Sequence, residues 1–151
     1  MDLKQRIDQD MRVALKSGDK LKLNITRLLK SDIRYKEIDK GKELSDEEVQ
    51  EVLSSSAKKH RDSIEQFRKG GREDLVKKEE EELNLILGYM PAQLSQGEIE
   101  KLIEESIAEV GAEGEKDIGK VMKALMPKVK GKADGKTVNL LVTSKLKTGQ
   151  E

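Results

Sequence analysis

The residues best suited to chemistry lie near the C-terminus, where Pro127 to Lys136 reads Pro-Lys-Val-Lys-Gly-Lys-Ala-Asp-Gly-Lys. Lys128, Lys130 and Lys132 alternate along a loop that also holds glycine, and Lys136 follows at the start of an expected helix. Ammonium groups so placed, beside the open backbone N–H groups of a helix N-terminus, suit phosphate oxygens. Lys120 and Lys123 add to the same surface, so the expected RNA-binding set is Lys120, Lys123, Lys128, Lys130, Lys132 and Lys136. No aromatic residue interleaves this loop, so base stacking is not expected and recognition would rest on shape and charge. From Lys116 to Lys147 nine lysines face two aspartates, a net charge of +7, although the chain as a whole carries 30 basic and 30 acidic residues. A neutral protein therefore contains a basic end.

Three other groups of residues have types suited to chemistry. His60, in Lys-Lys-His-Arg-Asp-Ser, shares a helix face with Ser63 three residues on, but a helical serine offers neither an oxyanion hole nor a third group, so His60 is expected to be structural. The run Glu79 to Glu82 could attract a hard cation, yet four consecutive helical side chains point in four directions, and a solvated face is the expected reading. Arg68-Lys69-Gly70-Gly71-Arg72 lacks the Gly-Lys-Ser/Thr ending of a phosphate loop and is expected to be a hairpin connection, with Arg61, Asp62, Arg72 and Asp74 forming an ion-pair network near its tip.

Composition removes further classes. The chain has no cysteine and one histidine, which excludes disulfides, cysteine nucleophiles, iron–sulfur clusters and multi-histidine metal sites. From sequence we assign no catalytic residue, no metal ligand and no cofactor. No run approaches 18 apolar residues, so no membrane partner is expected, and Met1-Asp2-Leu3-Lys4 lacks the order of a secretory leader, which makes a cytoplasmic address the default expectation.

The elements that must hold these residues read as helices throughout. Apolar residues recur at spacings of three and four from Leu3 to Leu15 and from Leu21 to Ile38, with Gly18 and Gly41 as stops. Ser45-Asp-Glu-Glu48 is a capping box ahead of a long helix over about 46–69; Gly70-Gly71 stops it, and a fourth helix carrying Leu75, Leu83, Ile86 and Leu87 turns back against it. Phe67, the only phenylalanine, falls on the apolar face with Leu53 and Ile64 and is expected to be core. Pro91 disfavours helix before it, and a second capping box opens at Ser95. The last two helices are expected to begin at caps Asp117 and Asp134, the first stopping at Pro127. The fold expected is all-α in two domains: 1–92, four helices with a long antiparallel hairpin, and 93–151, a small three-helix domain with a basic loop.

Arg61-Asp-Ser-Ile-Glu-Gln-Phe67, Gly70-Gly-Arg-Glu-Asp-Leu75, Tyr89-Met-Pro-Ala-Gln-Leu94 and Gly119-Lys-Val-Met122 through Val129-Lys-Gly-Lys-Ala-Asp-Gly135 resemble the YqeY-like proteins. The likeness runs from about Leu3 to Leu146. That family is similar to the tail of the B subunit of the tRNA-dependent aspartyl/glutamyl amidotransferase, an all-helical module that helps engage tRNA while the chemistry sits in another domain. The resemblance implies the same division into four and three helices. It also implies a stand-alone accessory module, non-catalytic by itself, that binds tRNA or another RNA through phosphate contacts. A protein-interaction adaptor using the helical hairpin is the competing expectation. A carbon–nitrogen ligase with glutamine as amido donor is implied only by the family label.

Overall fold

Side-chain caps set where four of the helices begin, at Asp2, Asp19, Ser45 and Ser95. The computed structural model describes residues 1–148, and among them are seven α-helices, one 3-10 turn and no strand, so the chain is all-α. It divides into two compact units, Met1–Pro91 and the residues from Ala92 onward. The first holds α1 (Leu3–Ser17), α2 (Lys20–Lys40), α3 (Asp46–Lys69) and α4 (Glu73–Leu87). Asp2 with Gln5, and Ser45 with Glu48, form reciprocal capping boxes, while Asp19 accepts from the Lys22 N–H. Gly71, at φ 70°, makes the left-handed turn that lets α4 return along α3.

In this unit α1 packs on α2 and α3 on α4, and α2 also touches α3 and α4. The apolar stripes meet in one core that includes Ile7, Ile25, Leu29, Val49, Leu53 and Ile86. Each such side chain contributes roughly 1.5–3 kcal/mol by leaving water. Tyr89 closes the unit from the segment after α4. Its ring is buried, its hydroxyl donates to Asp10 Oδ2 at 2.5 Å, and the Arg6 guanidinium lies 4.9 Å from the ring centroid while donating to the Gly88 carbonyl at 3.2 Å. The C-terminal end of the unit is thereby tied to α1.

Phe67 is corrected by the structure: it is half-buried, not core. It lies in the last turn of α3, outside the core cluster, and Arg68, Lys69 and Gly70 after it are exposed. Of the ion-pair network expected there, Arg72 pairs with Asp74 at 3.2 Å, and Arg68, outside the expected set, joins Glu80 at 2.9 Å.

Glu48 gives this unit an acid-sensitive joint. The Lys40 ammonium and then the Ser45 N–H hold its carboxyl down at about 2, against an ordinary value of 4.5. A carboxyl depressed in the folded state stabilises the fold above its ordinary value, and that stabilisation is lost as pH falls through the interval from 4.5 to about 2. Glu48→Gln is therefore expected to lower the melting temperature at pH 7, with the difference from the parent closing by pH 2. A difference constant across melts from pH 7 to 2 would contradict the pairing.

The second unit holds α5 (Gln96–Val110), a 3-10 turn (Glu115–Asp117), α6 (Ile118–Val129) and α7 (Gly135–Thr148). Ser95 and Glu98 make its capping box. Ile99, Ile103, Val121, Leu125, Val129, Val138, Val142 and Leu146 form its core. Two expectations change here. α6 does not stop at Pro127 but continues to Val129, because a proline in the last turn removes one hydrogen bond while Val129, 1% exposed, anchors that turn in the core. Asp117 does not cap α6: its backbone is turned, not extended, and its carboxylate accepts the Glu113 N–H at 2.9 Å.

Candidate nucleic-acid interface

The loop between α6 and α7 is held in place by the segment before α5. The Leu94 N–H donates to the Lys132 carbonyl at 2.8 Å, and the Gln93 amide donates to the Gly131 carbonyl at 3.0 Å. The Lys132 N–H in turn donates to the Val129 carbonyl at 2.8 Å. Lysine side chains on this loop therefore project from a fixed backbone, which lowers the entropy lost when they bind.

The six expected lysines separate by environment. Lys130, Lys132 and Lys136 are exposed, the first two on the loop and the third in the first turn of α7. Lys123 is exposed on α6. Lys120 is exposed and lies 3.8 Å from the Asp117 carboxylate. Lys128 differs: it lies within α6, its ammonium is 3.0 Å from Glu109 and 3.4 Å from the Ser106 hydroxyl of α5, and its side chain is 33% exposed. Five residues separate it from Lys123, which turns it about 140° round the helix, onto the face that packs against α5.

Reading the lysines alone missed the acidic flank that α5 presents to them. Besides Glu109 with Lys128, Glu104 pairs with Lys145, and Glu115 of the 3-10 turn pairs with Lys147 at 3.7 Å. The signal was present in the sequence, since α5 carries five glutamates against Lys101, but the pairing depends on how α5 packs on α7. Such surface pairs add only about 0–1 kcal/mol each to stability, yet each removes a cation from the reach of a polyanion. Of the six expected lysines Lys128 alone is drawn in against α5, while Lys123, Lys130, Lys132 and Lys136 are exposed on α6, the loop and the first turn of α7.

His60 and the glutamate run, on the first unit, come together. His60 on α3 is 7% exposed, and its Nδ1 lies 2.8 Å from the Ser56 carbonyl. Its Nε2 lies 3.0 Å from Glu82 Oε2 and 3.7 Å from Glu79 Oε2, both on α4. With both ring nitrogens so engaged, His60 makes no pair with Ser63. Glu80, one residue round the helix, points instead to Arg68.

Comparison with known proteins bears on this geometry. A family model described as Yqey-like protein matches residues 4–146. A Pyrenophora tritici-repentis protein, "Altered inheritance of mitochondria protein 41, mitochondrial", is 30% identical over 131 residues, or 85% of this chain and 71% of the relative. Its namesake from Lachancea thermotolerans is 33% identical over 114 residues, 73% of this chain and 60% of the relative. A Thermococcus sibiricus protein, by name one of the subunits of a glutamyl-tRNA(Gln) amidotransferase, is 47% identical over 57 residues, which is 35% of this chain and 9% of that protein. Against the mitochondrial relatives the matched region spans between about half and seven-tenths of their length. The names of the fungal relatives overturn the cytoplasmic address expected from the N-terminal residues: those relatives are named as mitochondrial, and the lack of a secretory leader carries no information on that compartment. Among the described residues no helix is long and apolar enough to cross a membrane.

Proposed function

The chain belongs to the Yqey-like protein family, and from that premise we propose that it is a non-catalytic accessory module that binds tRNA by its phosphate backbone through the second unit. The observation that carries this reading is the exposed set Lys123, Lys130, Lys132 and Lys136 around a loop whose backbone is pinned at Leu94 and Gln93. The similarity of 57 residues to a protein named for glutamyl-tRNA(Gln) amidotransferase supports tRNA as the RNA to test first. Mitochondrial tRNA belongs in that test because the curated relatives are named for that compartment. Recognition follows charge and shape, with no aromatic platform for bases.

The expected result is a steep loss of tRNA affinity with salt, read by fluorescence anisotropy. Changing Lys123, Lys130 and Lys132 together to Ala flattens the slope of log K against log salt by about 2–3, since each neutralised phosphate contributes about 0.7–0.9. Lys128→Ala serves as the contrast: its ammonium already faces Glu109, so the slope changes by much less. Binding with an unchanged slope in the triple variant would move the site. No binding by the parent at low salt would leave the adaptor reading, in which the α3–α4 hairpin docks a protein partner. Recovery of partners from lysate with and without nuclease separates the two.

A further inference from the structure

We propose that His60, Glu79 and Glu82 form a binding site for one divalent transition-metal ion, zinc being the best match. The argument starts at the imidazole. The Ser56 carbonyl can only accept a hydrogen bond, so Nδ1, 2.8 Å away, carries a hydrogen and donates it. That fixes the ring and leaves Nε2 aimed at two carboxylate oxygens, at 3.0 and 3.7 Å. A single N–H on Nε2 serves Glu82, but the Glu79 oxygen lies beyond hydrogen-bond range of it. An ion at the centre serves all three donors.

The spacing fits such an ion. Zinc bonds to nitrogen and carboxylate oxygen at about 2.0–2.2 Å, which in a tetrahedral arrangement sets donors about 3.4 Å apart. The observed 3.0 and 3.7 Å bracket that value, and all three donor atoms lie within 4.8 Å of one another. The helices already hold this geometry: Glu79 and Glu82 are three residues apart on one face of α4, and the antiparallel α3 supplies His60 opposite them. An Nδ1–H bonded to a backbone carbonyl is also the usual support of a metal-ligating histidine, since it fixes the tautomer that leaves Nε2 as the ligand. The site is mostly buried, with 9%, 22% and 14% of the three side chains exposed. One imidazole with two carboxylates favours zinc or a neighbouring transition ion over Mg²⁺, which prefers oxygen alone. These residues lie on helices of the first unit, apart in sequence from every lysine assigned to RNA, so the two readings fail independently.

The test uses the intact, tag-free chain stripped with chelator and titrated with Zn²⁺. One equivalent is expected to bind by calorimetry. Because His60 is the only histidine, a long-range proton–nitrogen spectrum of the parent protein reports this imidazole alone: Nε2 should shift to a metal-bound position while Nδ1 keeps its hydrogen. Glu79→Gln and Glu82→Gln should each weaken binding about tenfold or more, with helicity checked by circular dichroism. Mg²⁺ at the same concentration should leave the spectrum unmoved. An unshifted Nε2 at saturating Zn²⁺ would overturn the site even if several equivalents bound, because they would then sit on surface carboxylates. Parent-like affinity in both glutamine variants would overturn it equally.

Discussion

Tyr89→Ala is expected to destabilise the first unit by about 3–5 kcal/mol, the usual cost of removing a buried aromatic side chain. For a unit of roughly 90 residues, each kcal/mol corresponds to about 4–8 °C, so the melting transition should fall by about 12 °C or more. The ring is 7% exposed and joins the core cluster, and it also carries the bonds that close the unit, donating to Asp10 and lying under Arg6. Tyr89→Phe separates the two contributions. It keeps the ring and removes the donor, leaving the Asp10 carboxylate short of a hydrogen bond, at a cost of about 1–3 kcal/mol. The sign with pH follows from the phenol, which burial and then Asp10 push above its ordinary value of 10.0. A group whose folded value is raised stabilises the fold fully below its ordinary value and loses that stabilisation as pH rises beyond it. The parent should therefore lose stability above about pH 10 through this residue, and Tyr89→Phe should not. Equal melting temperatures for parent and Tyr89→Ala at pH 7 would show that the ring does not hold the unit together.

The helices were legible because their signals are local. Ser45 with Glu48, and Ser95 with Glu98, occupy the spacing of a capping box, and the structure shows both halves of each box formed. Asp19 caps α2, and glycines in the left-handed region follow α1, α2 and α5. What failed was non-local. Pro127 reads as a stop, and only the burial of Val129 explains why α6 runs past it. Phe67 continues an apolar stripe, but whether that stripe is covered depends on where the third and fourth helices end relative to the others. Tyr89 shows the opposite error. It stands in a turn segment before a proline, with nothing in the local pattern to mark it as core, and its partners Arg6 and Asp10 lie some 80 residues away.

The candidate site divides in the same way. A lysine-rich segment is visible in sequence as charge, and Lys123, Lys130, Lys132 and Lys136 are exposed in the fold. Lys128 looked like their equal because it alternates with them, yet helix geometry turns it toward Glu109. The argument that consecutive glutamates diverge is sound for Glu79 to Glu82 taken together. It overlooks that the first and last of four share a face, and that the third donor comes from another helix, 22 residues from Glu82. Spacing within one helix is readable from sequence, whereas convergence between two requires their register.

Leu125→Ala is the second large expected effect, and it tests whether the two units are independent in energy. Leu125 is fully buried in the second unit's core beside Ile103, Val121 and Val142, so its truncation should cost about 2–5 kcal/mol. A unit of about 60 residues buries only about 60% of its unfolded surface and has little stability to spare. The change should therefore unfold much of this unit at 37 °C. Backbone amide spectra provide the check: signals from 92–148 should lose dispersion, while those from 1–91, including Leu29, Leu53 and Tyr89, should stay in place. The reason is that the two hydrophobic clusters share no residue. Loss of both sets together would show one cooperative fold. The same variant bears on the RNA reading, because the loop lysines are positioned by α6 and by the bonds from Gln93 and Leu94. Once α6 unfolds, those lysines remain as a flexible basic segment: tRNA affinity should fall through the added ordering entropy, while the salt slope, set by the number of ammonium groups, should change little.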